Sequence, residues 1–238
     1  MEIVLLQSTG NGRADDILRG AIGVLEAVFP DRIRGYYLVG SYADGSYVAT
    51  SDLDVVPIFK GRLGDDDRAR CLEIVHALDL ISPIHLGFGL RDEEQSFADG
   101  GVGIKIGSVL VYGEDVRDRI PLWSLDRYRD FCVQTCLDIA VALRGSPDRL
   151  SYPLAYPDPH GPFYGYVQEM QTQNGVEPGT AALFGNVMFA ASTIVTLRTG
   201  RYNASKSRSW KLYQECIGDE WGGFLEELYG TCKVHWEY

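Results

Sequence analysis

The chain has 238 residues, a formal net charge of −11 and 45% hydrophobic residues. That length suits one large domain or two small ones. The acidic balance disfavours nucleic acid, whose phosphates call for Lys and Arg, and the five cysteines show no disulfide-dense spacing. The apolar run within residues 1–8 is too short for a signal peptide or a membrane span. The expectation is a cytoplasmic protein that partners neither nucleic acid nor membrane.

In chain order, Ile17, Leu18, Ile22, Leu25 and Val28 recur at helical spacing and predict a helix over residues 14–29, closed by Pro30. Residues 33–39 read as a strand, followed by a turn at Gly40-Ser41. After ten more residues Asp52-Leu53-Asp54 opens a second strand, residues 53–59. An acidic first turn, Asp65-Asp66-Asp67, begins a helix over residues 65–80. Residues 83–90 read as a third strand. The glycine-rich stretch 100–107 lacks a Gly-Lys-Ser/Thr ending and reads as a flexible loop leading into a strand over 108–112. Near Pro121 strand patterns give way to helical ones, predicted over residues 125–144, 163–173, 179–199, 205–216 and 221–232. A loop with five prolines occupies residues 145–162. Cys132 and Cys136, one helical turn apart with no nearby partner, read as helix core rather than a metal pair.

The chemistry concentrates between Gly40 and Phe59. Gly40 lets the backbone turn tightly beside a bulky ligand. Ser41 offers a hydroxyl where a helix could begin, with N–H groups available to a phosphate. On a strand, Asp52 and Asp54 point to the same face. Two neighbouring carboxylates repel unless a cation lies between them. Mg²⁺ takes oxygen ligands and usually bridges a few carboxylates to substrate phosphates. The bland alternative is a hairpin whose second strand starts with two solvated acids.

The Gly-Ser turn, the ten-residue spacer and the Asp-Leu-Asp-Val sequence together resemble the signature of the DNA polymerase β-like nucleotidyltransferase superfamily. In the second half, Thr199-Gly200, Lys206 and Trp210, followed by amphipathic helices, are similar to the streptomycin/spectinomycin adenylyltransferase family. So is the run Leu110-Val111-Tyr112-Gly113-Glu114. The resemblance implies an α+β protein. Its nucleotidyltransferase domain, residues 1–121, would hold a small mixed sheet, and residues 122–238 would form an all-α helical bundle. It further implies a site in the cleft between the halves. There Asp52 and Asp54 would hold Mg²⁺ against ATP, Gly40 and Ser41 the outer phosphates, and Lys206 another phosphate. The reaction implied is AMP transfer to a small-molecule hydroxyl with release of pyrophosphate.

Two departures stand out. The family's third carboxylate, expected on the neighbouring strand, is missing. His85 stands near its place as a candidate base, with packing as its other reading, and Asp92, Glu93 and Glu94 are second choices. Acids that would bind an aminoglycoside are also missing from residues 179–186, where Glu169 or Glu177 could compensate. A nucleotide-binding regulator or antitoxin-like protein, or a transferase acting on protein side chains, is the alternative.

Overall fold

A computed structural model describes residues 2–143, 156–172, 174–182 and 184–238. Two compact units divide at Trp123 and Ser124.

The first unit is built on a five-stranded sheet. Helix α1 (Gly12–Val28) starts at Asn11, whose side chain accepts the N–H groups of Arg13 and Ala14. Its buried stripe includes Leu18, Ile22 and Leu25. Strand β1 (Ile33–Val39) pairs antiparallel with β2 (Leu53–Phe59), and a short helix, α2 (Gly40–Asp44), begins the connection. Helix α3 (Asp65–Ile81) crosses over to β3 (Leu86–Phe88), which lies parallel to β2 at the sheet edge. Strand β4 (Arg91–Asp92) pairs with the far end of β2. Helices α4 (Glu93–Asp99) and α5 (Gly103–Gly107) lead into β5 (Val109–Gly113), antiparallel to β1.

Both faces of the sheet are covered, which is why residues 36–39 of β1 and 55–59 of β2 read as apolar runs without alternation. Tyr36, Leu38, Leu53, Val55 and Leu86 pack with α1 and α3. Tyr37, Val56 and Ile58 pack on the opposite face with Ile104, Val116 and Ile120. The two buried tyrosines find partners for their hydroxyls. Tyr36 donates to Glu26 at 2.9 Å, and Tyr37 accepts the N–H of Val116 at 2.7 Å.

The second unit contains α6 (Leu125–Leu143), α7 (Phe184–Thr199), α8 (Lys206–Cys216) and α9 (Trp221–Tyr229), which continues as a π turn, Gly230–His235. Its core gathers Phe184, Met188, Val195, Tyr213, Leu225 and Trp236. To the helices is added a hairpin of β6 (Gln168–Thr172) and β7 (Gly175–Gly179).

Several sequence expectations are corrected here. The strand over 83–90 shortens to Leu86–Phe88, because the Ser82 hydroxyl closes a turn onto the Ile84 carbonyl ahead of it. The loop expected over 100–107 contains α5. The helix expected over 163–173 is instead a 3₁₀ turn, Pro162–Gly165, followed by β6. Met170 alone on β6 is buried, between exposed Glu169 and Gln171, and β7 starts at Gly175, paired with Thr172. Where a helix over 179–199 was expected, Gly179 ends β7 and the helix, α7, starts at Phe184. Pro147, Tyr152 and Pro153 of the proline-rich segment lie outside the described residues. Cys132 is buried on α6, and the Cys136 thiol lies 3.3 Å from the Thr193 hydroxyl.

Candidate active site

The Gly40–Asp54 segment is folded by its own side chains. Tyr42 and Tyr47 stack at 4.5 Å with ring planes 5° apart, and the Tyr47 hydroxyl donates to the Gly10 carbonyl. Asp44 accepts both the N–H and the hydroxyl of Ser46. Buried Ser51 accepts the N–H of Val48. These contacts return the chain to the sheet so that Asp52 and Leu53 enter β2 beside β3.

Leu53 and Val55 point into the core, so Asp52 and Asp54 take the opposite face. The Asp54 carboxylate lies in a cradle that two glycines leave open. A Cβ on Gly40 would stand 2.7 Å from Asp54 Oδ2, and one on Gly87 would come closer still to Oδ1. Gly40 also has φ +69°, which disfavours any side chain there. Ser41, partly exposed, follows it in the first turn of α2. The N-cap residue Val39 supplies no side-chain acceptor to the turn's N–H groups.

In the register of β2 against β3 the residue facing Asp54 is a glycine rather than an acid. Asp54 pairs with Gly87, and the Leu53 N–H donates to the His85 carbonyl at 2.8 Å. Any side chain at the position facing Asp54 would require the Asp54 carboxylate to shift. One residue ahead of these strands lie Asp52 and His85. The His85 side chain is 68% exposed, and its Nδ1 lies 2.8 Å from Asp79 Oδ1. The same Asp79 oxygen accepts the N–H of Leu86 at 2.7 Å. Asp79 escaped sequence reading, because it looks like one more surface acid on an acidic helix.

The second-choice acids are committed elsewhere. Asp92 pairs with Phe59, five residues along β2 from Asp54, or about 17 Å. It is 6% exposed, caps α4 through the N–H of Gln95 and accepts the N–H of Leu63. Glu93 binds Arg34 and the N–H of Gly61. Burial alone would raise its pKa, but those hydrogen bonds and the nearby arginines hold it below the ordinary range. Asp92 and Glu93 are therefore structural groups rather than a solvent-facing loop, and Glu94, exposed in the first turn of α4, sits at the same remote end of β2.

In the second unit, Lys206 is the exposed first residue of α8. Ser205 caps that helix through the N–H of Arg208. The loop before it is fixed by Tyr128, which stacks on Tyr202 and donates to the Asn203 carbonyl, while Asn203 reaches Ser192 and Ser209. Glu177 is occupied, accepting from Trp236 Nε1 at 2.6 Å and meeting His235 Nε2 at 2.7 Å. Glu169 is exposed on β6.

The donor set suits Mg²⁺. Strand alternation puts the two carboxylates on one face, with Gly40 and Gly87 against Asp54; among the described residues no group of three or more His, Cys, Asp or Glu could hold a metal ion. A cation that keeps waters and substrate phosphates as ligands needs no more from the protein.

Residues 21–106 match a family model described as a nucleotidyltransferase domain. No curated protein matches the chain. Among solved structures, spectinomycin adenyltransferase AAD(9) from Enterococcus faecialis, determined with ATP and spectinomycin, aligns over 90% of this chain and 98% of its own. The identity is 11% and the TM-score 0.54, a likeness of fold. A putative nucleotidyltransferase from Sulfolobus solfataricus covers 44% of this chain and 86% of its own at 20% identity and a TM-score of 0.32. A toxin–antitoxin structure with AMP-PNP covers 52% and 91% at 18% identity and a TM-score of 0.31. The matched region spans the Gly-Ser turn, both aspartates and the β2–β3 register, so that residues 21–106 of this chain are similar to a nucleotidyltransferase domain and the chain shares the fold of a spectinomycin adenyltransferase.

Proposed function

We propose that the protein transfers AMP from ATP to a hydroxyl of a small molecule, an aminoglycoside-like antibiotic or a biosynthetic intermediate, and releases pyrophosphate. The observation that carries this reading is the Asp54 carboxylate seated between Gly40 and Gly87, with Asp52 on the same face. A protein that only bound nucleotide would have no use for paired acids, which repel each other without a cation.

Asp52 and Asp54 would hold Mg²⁺, which when bound neutralises charge on the triphosphate and on the departing pyrophosphate. Ser41 and the backbone at Gly40 hold the outer phosphates. Lys206 is a further phosphate contact by family resemblance. The acceptor oxygen attacks the α-phosphorus in line with the leaving pyrophosphate, so positioning and charge stabilisation supply most of the catalysis. With Glu177 engaged by Trp236 and His235, exposed Glu169 is the remaining candidate of that pair for a cationic acceptor.

The test is pyrophosphate release from ATP, CTP, GTP and UTP with Mg²⁺ against a panel of aminoglycosides and other polyols. Release with ATP and one acceptor is expected, together with a fall of at least about a thousandfold in Asp52→Asn and Asp54→Asn. Wild-type turnover in the doubly substituted protein would remove the metal assignment. Nucleotide binding without release for any acceptor would transfer the weight to a regulatory protein. A mass shift on a protein in the mixture would identify a protein-modifying transferase.

A further inference from the structure

In the β2–β3 register Gly87, not an acid, faces Asp54, and the His85 carbonyl just ahead of β3 accepts the Leu53 N–H at the start of β2. A histidine base needs its ring held and its tautomer set, because only an unprotonated nitrogen accepts a proton. Asp79 meets both needs. It sits near the end of α3 and reaches the outer edge of β3, where one oxygen takes the Leu86 N–H and lies 2.8 Å from His85 Nδ1. The Leu86 bond anchors the carboxylate, and the anchored carboxylate fixes the ring. With Nδ1–H donating to Asp79, the lone pair is on Nε2, and Nε2 makes no hydrogen bond to any described residue.

We propose that Asp79 is a positioning residue for His85, and that the Asp79–His85 pair replaces the absent third carboxylate as the proton acceptor for the incoming hydroxyl. The proposal rests on the transfer reaction proposed above. In the step, the acceptor O–H proton passes to His85 Nε2 as the O–Pα bond forms. The Pα–O bond to the β-phosphate breaks, and pyrophosphate leaves with that electron pair. The imidazolium that results carries its positive charge against the Asp79 carboxylate, as in other carboxylate–histidine pairs. A lone exposed histidine would lack both the orientation and the counter-charge. Asp79 itself need not touch substrate.

Two measurements on the full chain test this. Nitrogen-15 NMR of the imidazole side chains, with His85 assigned by its loss in His85→Ala, reports the tautomer directly. The neutral His85 ring is expected as the Nδ1–H tautomer in the wild type, reverting toward the Nε2–H form usual for free imidazole in Asp79→Ala. Asp79→Asn, which can still accept the Leu86 N–H, serves if Asp79→Ala does not fold. A wild-type ring already in the Nε2–H form overturns the pairing whether or not any acceptor is found. The second measurement is pyrophosphate release from ATP–Mg²⁺ with whichever panel acceptor supports turnover. His85→Ala is expected to lower kcat about a hundredfold and Asp79→Asn about tenfold, each with KM for ATP unchanged. Asp79→Asn added to His85→Ala is expected to cost nothing further, because residues acting as a unit are non-additive. Undiminished kcat in His85→Ala, or fully additive losses, would sink the proposal and leave the transferase reading standing.

Discussion

A methyl group at residue 87 would collide with the Asp54 carboxylate, and this contact gives the sharpest single-residue expectation. Gly87→Ala should lower turnover by roughly a hundredfold through displacement of a side chain that must be held within about 0.5 Å. The check is pyrophosphate release beside a circular-dichroism melt. A large loss of activity with little change in Tm fits the cradle; full activity means the carboxylate can move aside at no cost. The paired aspartates were legible in the sequence because strand alternation alone puts residues i and i+2 on one face. The cradle was only half legible. Gly40 belongs to a recognisable turn, but Gly87 acquires its meaning from register, and register is a long-range property. Asp79 was hidden for the same reason. Nothing local distinguishes it from Asp65, Asp66 or Asp67 on the same helix, and only the crossover to β3 brings it to His85.

At the scale of elements, the short strand β4 and helix α4 depend on Asp92. Its buried carboxylate accepts the N–H groups of Leu63 and Gln95 and so ties the end of the β2–α3 connection to the start of α4. Asp92→Ala should cost about 2 kcal/mol through one lost cap and one stranded buried donor, or about 4–8 °C in Tm. Differential scanning calorimetry measures it. Activity per folded molecule at a lower temperature should stay near wild type, and a catalytic collapse in stable protein would instead make Asp92 the missing acid. The run Asp92-Glu93-Glu94-Gln95 carried a usable signal, since an acid three residues before Gln is the spacing of a capping box. Three acids in a row invited the solvated reading instead. Strands β1 and β2 were legible to the residue because burial on both faces makes residues 36–39 and 55–59 apolar without alternation, with turns beyond them. The β6–β7 hairpin was not, since only Met170 on β6 faces the core and one apolar residue sets no period.

For the molecule as a whole, acid should be the weak direction. Asp115 is held below the ordinary carboxylate range by hydrogen bonds from Arg117. Burial would raise Asp15, but the hydroxyl of Ser8 and the N–H and hydroxyl of Thr9 more than reverse this. Glu93 is lowered in the same way by Gly61 and Arg34. A depressed folded pKa means that the stabilisation is fully present above the ordinary carboxylate value and lost as pH falls toward the folded one. Urea midpoints should therefore be level from about pH 7 to 5 and fall below about pH 4.5. Asp115→Asn should lower the neutral midpoint and flatten its acid decline. An unchanged slope would mean that other carboxylates govern acid unfolding. Sequence resemblance carried the fold at this scale because the Gly-Ser and Asp-x-Asp elements are tied to one way of ordering strands. The identity of the acceptor has no such tie; it depends on side chains scattered over loops.

Gly87 lies in a strand, where an ordinary side chain would be conformationally acceptable. Glycine there leaves the unfolded chain more freedom to lose, a penalty of about 0.4–1 kcal/mol relative to alanine. The fold therefore carries a built-in trade of robustness for reactivity at this position. Once the Asp54 carboxylate is removed, the argument for glycine goes with it. In an Asp54→Ala background, Gly87→Ala is expected to raise stability.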